Sequence, residues 1–251
     1  MKRWHLSLLI RAITSLVILA FALIGDLSAW FVILWLVLLF AFTVYASLTL
    51  PARLYMDAVC KGEPGTLALT FDDGPHPVHT PALLDLLAKE KVSASFFCIG
   101  RNVDAHPAIA SRIVEEGHAI GIHSYDHHWT WGFLSSARAA HQITRCEGSI
   151  HAATGKRTQL FRPPFGVTSP NLARAVRRTL VSTIGWDLRT FDTTRTPDQV
   201  MRRMEARKVP GTIAVLHDTQ PGTIELVQRV IAHCRRNGTT LVRCDTHLRN
   251  A

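Results

Sequence analysis

The sequence predicts an α/β domain of parallel strands set behind an N-terminal transmembrane hairpin. Three observations carry that prediction. Between residues 67 and 244, apolar runs of strand length alternate with stretches of helical periodicity. Several helical stretches carry start and stop signals. Ahead of them, from Ala12 to Leu50, the only charged side chain is Asp26.

That apolar run is too long for a single span, which needs about 20 residues. Two spans over 6–25 and 29–50, with Asp26 near the turn, account for it. Arg11 interrupts the first span, and its guanidinium can snorkel towards the head groups from that depth. A cleaved signal peptide followed by one anchor is the alternative. Residues 1–50 thus read as a membrane anchor. Residues 51–65 carry Arg53, Lys61, Gly62, Pro64 and Gly65, and read as a linker.

Beyond the linker, strands are expected over 67–71, 94–99, 119–123, 160–162, 181–186, 213–216 and 240–244. Helices are expected over 81–89, 107–116, 136–153, 169–178, 197–207 and 224–236. Thr80-Pro81, Ser169-Pro170 and Thr196-Pro197 each put a capping residue before a first-turn proline. Gly117, Gly155 and Gly238 follow helix ends, where a left-handed residue is wanted. Such alternation implies parallel strands joined by right-handed crossovers, in a barrel or an open sheet. Either arrangement collects functional groups at the C-terminal ends of the strands.

Composition narrows the function classes. The formal net charge is +9. Much of the basic charge lies on expected helices: Arg174, Arg177 and Arg178, then Arg202, Arg203, Arg207 and Lys208, then Arg235 and Arg236. No zinc-finger spacing, helix-turn-helix signal or RNA-binding signature accompanies it, so nucleic acid is not an expected partner. Solvated helix faces explain the charge, and so does attraction to an anionic membrane surface. None of the five cysteines, Cys60, Cys98, Cys146, Cys234 and Cys244, forms a CxxC pair. That argues against a cysteine zinc site and a disulfide framework, and for buried small hydrophobes.

Polar clusters do follow the expected strands. The first runs into Asp72-Asp73-Gly74-Pro75, where adjacent carboxylates repel and invite a cation. The third ends at His123-Ser124-Tyr125-Asp126-His127-His128, with two imidazoles four residues apart. One Asp and two His meet the ligand count of a catalytic zinc site that keeps an open position. The fourth leads into Arg162-Pro163-Pro164-Phe165-Gly166, whose arginine can clamp a carboxylate. The fifth ends at Trp186-Asp187-Leu188-Arg189-Thr190-Phe191-Asp192. The sixth ends at Leu216-His217-Asp218, where a histidine can serve as a general acid.

Thr70-Phe-Asp-Asp-Gly74, His123-Ser-x-x-His127, Arg162-Pro-Pro-Phe-Gly166 and Leu216-His-Asp218 resemble, in order, the motifs of the polysaccharide deacetylases of carbohydrate esterase family 4. The resemblance covers roughly 66–246. It implies a distorted (β/α)7-type barrel, with 66–251 as a catalytic domain that removes N-acyl groups from a saccharide. It further implies that Asp73, His123 and His127 hold a divalent metal, zinc first, with cobalt or another divalent ion as alternatives. Asp72 would be the general base, oriented and kept charged by Arg162. His217 would protonate the leaving amine, with Asp192 holding it in place. Phe165, whose backbone N–H would face the oxyanion, joins Trp186, Arg189 and Leu216 as the candidate substrate-binding residues.

One motif departs from the family pattern. Where Asp-x-x-Asp-Trp is usual, this chain reads Arg189-Thr190-Phe191-Asp192-Thr193. The second aspartate is kept, whereas Arg and Thr replace the first Asp and the Trp. An arginine at 189 would suit an anionic substrate such as a sugar phosphate. A deformylase, an O-deacetylase, or a non-catalytic sugar-binding membrane protein would use the same scaffold.

Lys2, Arg3 and Arg11 precede or enter the first span, and Arg53 and Lys61 follow the second. The positive-inside rule then sets both ends on the cytoplasmic side of a multi-pass bacterial-type inner membrane. Members of the resembled family mostly act outside it, so the two signals oppose each other. A cytoplasmic domain would meet a lipid-linked sugar intermediate, with membrane lipid as its other partner.

Overall fold

The computed structural model describes residues 3–25, 28–206 and 211–250. Asp26, Lys2, Arg207 and Lys208, all used above, lie outside the described residues. Two helices open the chain, α1 (Arg3–Leu23) and α2 (Ala29–Leu48). Ser28 caps α2 through its side chain, which accepts from the Trp30 N–H. Among the described residues, α2 is the one helix long and apolar enough to cross a membrane, and the apolar part of α1, Arg11–Leu23, is shorter. The two helices touch: Trp35 Nε1 donates to Ser15 Oγ at 3.1 Å, and the Arg11 guanidinium lies 4.9 Å from the Phe42 ring centre.

The domain behind them alternates β1 (Thr66–Asp72), α3 (His79–Glu90), β2 (Ser95–Cys98), α4 (Gly100–Ala105), α5 (Pro107–Glu115), β3 (Ala119–Ile122), α6 (Ser136–Thr154), β4 (Leu160–Phe161), α7 (Pro170–Thr179) and β5 (Ser182–Thr183). It continues through β6 (Leu188–Arg189), α8 (Pro197–Glu205), β7 (Thr212–His217), α9 (Thr223–Arg236) and β8 (Thr240–Val242). Neither α4 nor β6 was expected. Ser169 and Thr196 cap α7 and α8 as anticipated, and Gln199 completes a capping box with Thr196. Thr80 does not cap α3, which begins one residue earlier. Its hydroxyl instead donates to Asp218 Oδ2 at 2.5 Å.

Every strand pair is parallel, in the order β5-β4-β3-β2-β1-β7-β6. One edge of β1 is shared: β2 pairs along Thr70–Asp72 and β8 along Thr66–Ala68. Helices cover the sheet, so β1 is buried on both faces from Leu67 onward, as parallel strands are. The sheet must curl strongly. β5 and β6 occupy opposite edges, yet only residues 184–187 separate them. Five residue steps span at most about 18 Å. The result is a half-barrel whose two edge strands are not paired with each other, rather than a closed seven-strand barrel.

What fills the seam is the segment expected to be a linker. Val59 forms a parallel bridge with Ile184 and Lys61 an antiparallel one with Thr212. The Val59 N–H donates to the Thr183 carbonyl, and its own carbonyl accepts from Gly185. Met56, Ala58 and Cys60 are buried beneath these bonds. The glycines, proline and charges of 51–65 read as a linker, and its alternate apolar side chains are drawn into the core by the gap in the sheet. All five cysteines are likewise buried and unpaired.

The seam's weight in stability follows. A version beginning at residue 66 loses the apolar burial of Met56, Ala58 and Cys60 and two sheet-like bonds, about 3 kcal/mol or more. Chemical denaturation of 51–251 and 66–251 should show the shorter chain less stable by that amount or insoluble. Equal midpoints would show that the segment is a passive tether.

Candidate active site

The C-terminal ends of the curled strands converge on one cleft. Its lining comprises Asp72, Asp73, His123, His127, Phe165, Gly166, Trp186, Arg189, Phe191, Thr193, Val215 and His217. Of the residues singled out in the sequence, Arg162 and Asp192 sit behind this lining. Leu216 does not reach it. Strand alternation turns Leu216 into the core, fully buried, and presents Val215 and His217 to the cleft.

Asp72 ends β1 and is buried against Arg162, which follows β4 and is itself fully buried. The guanidinium donates to Asp72 Oδ1 at 2.7 Å, Thr70 Oγ1 at 2.6 Å, the Ile184 carbonyl at 3.2 Å and the Gly185 carbonyl at 2.9 Å. Its carbon lies 4.1 Å from the Phe97 ring centre. Burial pushes the Asp72 carboxyl up, but Arg162 above all, with His123 and His217, more than offsets it and holds the group below its ordinary value. Asp72 is therefore a carboxylate in a nearly dry site.

Asp73, His123 and His127 form the second constellation. His123 Nδ1 lies 2.8 Å from the Arg162 carbonyl. A carbonyl only accepts, so Nδ1 carries the proton and Nε2 presents a bare lone pair. That lone pair lies 3.5 Å from Asp73 Oδ1, and His127 Nε2 lies 3.4 Å from the same oxygen. Burial first, then the neighbouring His123, lowers the His127 pKa to about 4, so its imidazole is neutral. Asp73 Oδ1 and His127 Nε2 are buried without a hydrogen-bond partner among the described residues. Orphaned acceptors facing one another are costly unless a cation lies among them. One atom from each of the three residues falls within 4.8 Å of the others, so the set can hold a divalent metal.

Opposite stands His217. Its backbone N–H and Nδ1 meet Asp192 Oδ2 and Oδ1 at 2.7 and 3.0 Å. Burial would lower the His217 pKa, but Asp192 overrides it and raises it to about 9. His217 Nε2 points across the cleft to within 3.9 Å of Asp73 Oδ2.

Local backbone strain places several of these groups. Asp73, Ser124, His127, Phe165 and Phe191 all have positive φ, a region that costs a side-chain-bearing residue about 1 kcal/mol or more. The positive φ at Phe165 and Gly166 tightens the loop after β4, setting the Phe165 ring 4.5 Å from that of His127. A side chain at Gly166 would collide with Trp186.

Asn102 and Gln142, which motif reading did not reveal, support the site, and so do residues within the motifs. Asn102, on the unexpected α4, donates Nδ2–H to the Asp73 carbonyl at 2.9 Å. Gln142 Oε1 accepts from the Tyr125 and Asp126 backbones, and its Nε2 donates to Asp126, locking the loop between the two histidines. Asp218 packs so closely behind Gly74 that a β-carbon there would collide with it. Burial pushes its carboxyl up to about 7. Trp186 and Arg189 both line the cleft, with the Arg189 guanidinium 5.9 Å from the indole ring centre.

Comparison with known proteins fits this picture. A family model for polysaccharide deacetylase matches residues 60–184. The chain is 30% identical over 159 residues to a chitooligosaccharide deacetylase of Azorhizobium caulinodans, covering 62% of this chain and 75% of that one. It is 29% identical over 198 residues to the peptidoglycan-N-acetylglucosamine deacetylase PgdA of Listeria monocytogenes, 78% of this chain but 42% of the relative's length. The crystal structure of a peptidoglycan N-acetylglucosamine deacetylase superposes with a TM-score of 0.71 at 27% identity, over 76% of this chain and 92% of that one. In this chain a curled parallel sheet carries an Asp-His-His cluster and a carboxylate–arginine pair at its strand ends. This chain belongs to the polysaccharide deacetylase family.

The buried ion pair generates a stability prediction. Arg162→Met leaves the Asp72 charge uncompensated and should destabilise the domain by about 3–5 kcal/mol at neutral pH, measured by denaturant titration. Asp72→Asn in the same chain should recover part of that loss. In the wild type the depressed Asp72 pKa means stability that is present above the ordinary carboxylate range near pH 4 and is lost as pH falls through the lower folded value. A loss that is unchanged in the double variant would show that the two groups are not coupled.

Proposed function

We propose that this chain is a membrane-anchored, metal-dependent hydrolase that removes N-acyl groups, foremost N-acetyl, from a cell-envelope saccharide or its lipid-linked precursor. The observation that carries the reading is the joint presence of three groups in one cleft: a buried carboxylate kept charged, a ligand set with orphaned acceptors, and a histidine held for protonation.

Asp73, His123 and His127 would hold the divalent ion, zinc by the nitrogen and oxygen character of the set, and the ion would supply Lewis acidity and a more acidic water. Asp72 is the base that takes the water's proton, and the Arg162 bond at 2.7 Å keeps it ionised and aimed. His217 faces the same space and gives a proton to the departing amine, with Asp192 holding its ring by Nδ1. Phe165, Trp186 and Arg189 form walls around the acylated sugar.

The membrane reading rests on α2 and on how it ends. The Thr168 N–H donates to the Ser47 carbonyl at 2.9 Å and its hydroxyl to the Ala46 carbonyl at 3.1 Å. Leu50 packs behind Gly185, next to the Trp186 wall. The last turn of α2 is thereby fastened to loops that line the cleft, which favours a substrate presented at the membrane surface. Pairing of α1 with α2 supports a hairpin anchor across the inner membrane. The cytoplasmic placement expected from Arg53 and Lys61 makes the lipid-linked precursor the nearer of the two substrates.

The test is acetate release from N-acetylated saccharides by the purified full chain, together with its zinc content. Asp72→Asn should keep about one zinc per chain while turnover falls by about a thousandfold or more. His123→Ala should lose zinc and activity together. Retained turnover in Asp72→Asn would remove the base assignment.

A further inference from the structure

Beside the cleft lies a concentration of positive charge, of which Arg189 alone is on the cleft lining. Phe191, which lines the cleft with positive φ, is ringed by three arginines. The guanidinium carbons of Arg189, Arg195 and Arg203 lie 5.1, 4.8 and 5.3 Å from its ring centre. Three like charges about one side chain repel one another, and the usual remedy is an interleaved carboxylate. Here the carboxylates of the same stretch of chain are engaged elsewhere. Asp187 accepts the Ile213 N–H, and Asp192 holds His217. Asp198 pairs with Arg229 at 2.7 Å, and Glu205 lies 3.8 Å from His233. None of the three arginines forms an ion pair with a described residue.

The cluster is also held in place. Arg203 Nε, on α8, donates to the Arg189 carbonyl at 2.8 Å, joining that helix to β6. The Phe191 ring supplies a flat face against which guanidinium groups stack with little loss of donor capacity. A phosphate lying beside such forks takes parallel N–H bonds from them and offsets their repulsion.

We propose that Arg195 and Arg203, with Arg189 on the cleft wall, form a phosphate subsite beside the cleft, which receives a phosphate ester carried by the saccharide substrate. This deepens the deacetylase reading, on which it rests for the identity of the sugar.

Calorimetric titration of the full chain in phosphatidylcholine nanodiscs tests it, with a chelator present so that no bound metal supplies phosphate affinity. N-acetylglucosamine 1-phosphate should bind about tenfold or more tightly than N-acetylglucosamine. The double variant Arg195→Gln/Arg203→Gln should bring the two affinities to within about twofold. Both side chains are exposed, and an unchanged thermal midpoint would verify that the variant folds. Equal affinities in the wild type, no binding of the sugar phosphate, or a preference that survives in the variant would overturn the subsite. So would arginine-dependent loss of sugar-phosphate binding when the nanodiscs contain phosphatidylglycerol, since a lipid head group would then be the occupant. The titration needs no turnover, so its failure leaves the deacetylase reading intact, and a failure of acetate release leaves the titration result standing.

Discussion

The contact between Arg162 and Asp72 is the constraint on which the site depends. One guanidinium, fully out of water, ties the end of β1 to the loop after β4 and to two carbonyls past β5. An isolated buried carboxylate would take up a proton, and a protonated Asp72 could accept none from water. The same arginine that keeps Asp72 charged offers its backbone carbonyl to His123 Nδ1, which fixes the imidazole tautomer that presents Nε2 to Asp73. Base and ligand set are thereby oriented by one residue, through its side chain and its main chain.

The curl of the sheet makes that geometry attainable. A flat parallel sheet in this strand order would leave β4 and β7 far apart. Residues 184–187 link strands on opposite edges, and the segment through Val59 and Lys61 stitches the gap below the cleft. Positive φ at Asp73, His127 and Phe165 is tolerated because core packing and the Gln142 and Asn102 bonds over-determine those loops. The end of α2 joins the same framework through Thr168, which bonds the Ser47 and Ala46 carbonyls.

Much of this was legible in the sequence, for physical reasons. Parallel strands buried on both faces read as continuous apolar runs, and the polar residues that follow them fall at strand ends, so the convergence of Asp72, Asp73, His123, Arg162 and His217 could be anticipated. β6 could not, because two residues paired to β7 carry no periodicity. Nor could α4, a six-residue helix opening on glycine without a side-chain cap. The burial of Met56, Ala58 and Cys60 is imposed by a tertiary gap that local composition does not encode. Leu216 is a different case: strand alternation places it opposite His217, and that signal was available. The ring of arginines about Phe191 spans two elements and the loop between them, and only the fold brings it together.

The proposed metal centre makes Asp73, His123 and His127 ligands of one divalent ion beside a charged Asp72. A crystal structure of the zinc-loaded chain, with diffraction measured on both sides of the zinc absorption edge, tests it most directly. The expected result is one anomalous peak bonded to Asp73, His123 Nε2 and His127 Nε2, with Asp72 bound to Arg162 and not to the metal. A peak elsewhere, or a peak ligated by Asp72 in place of Asp73, would contradict it.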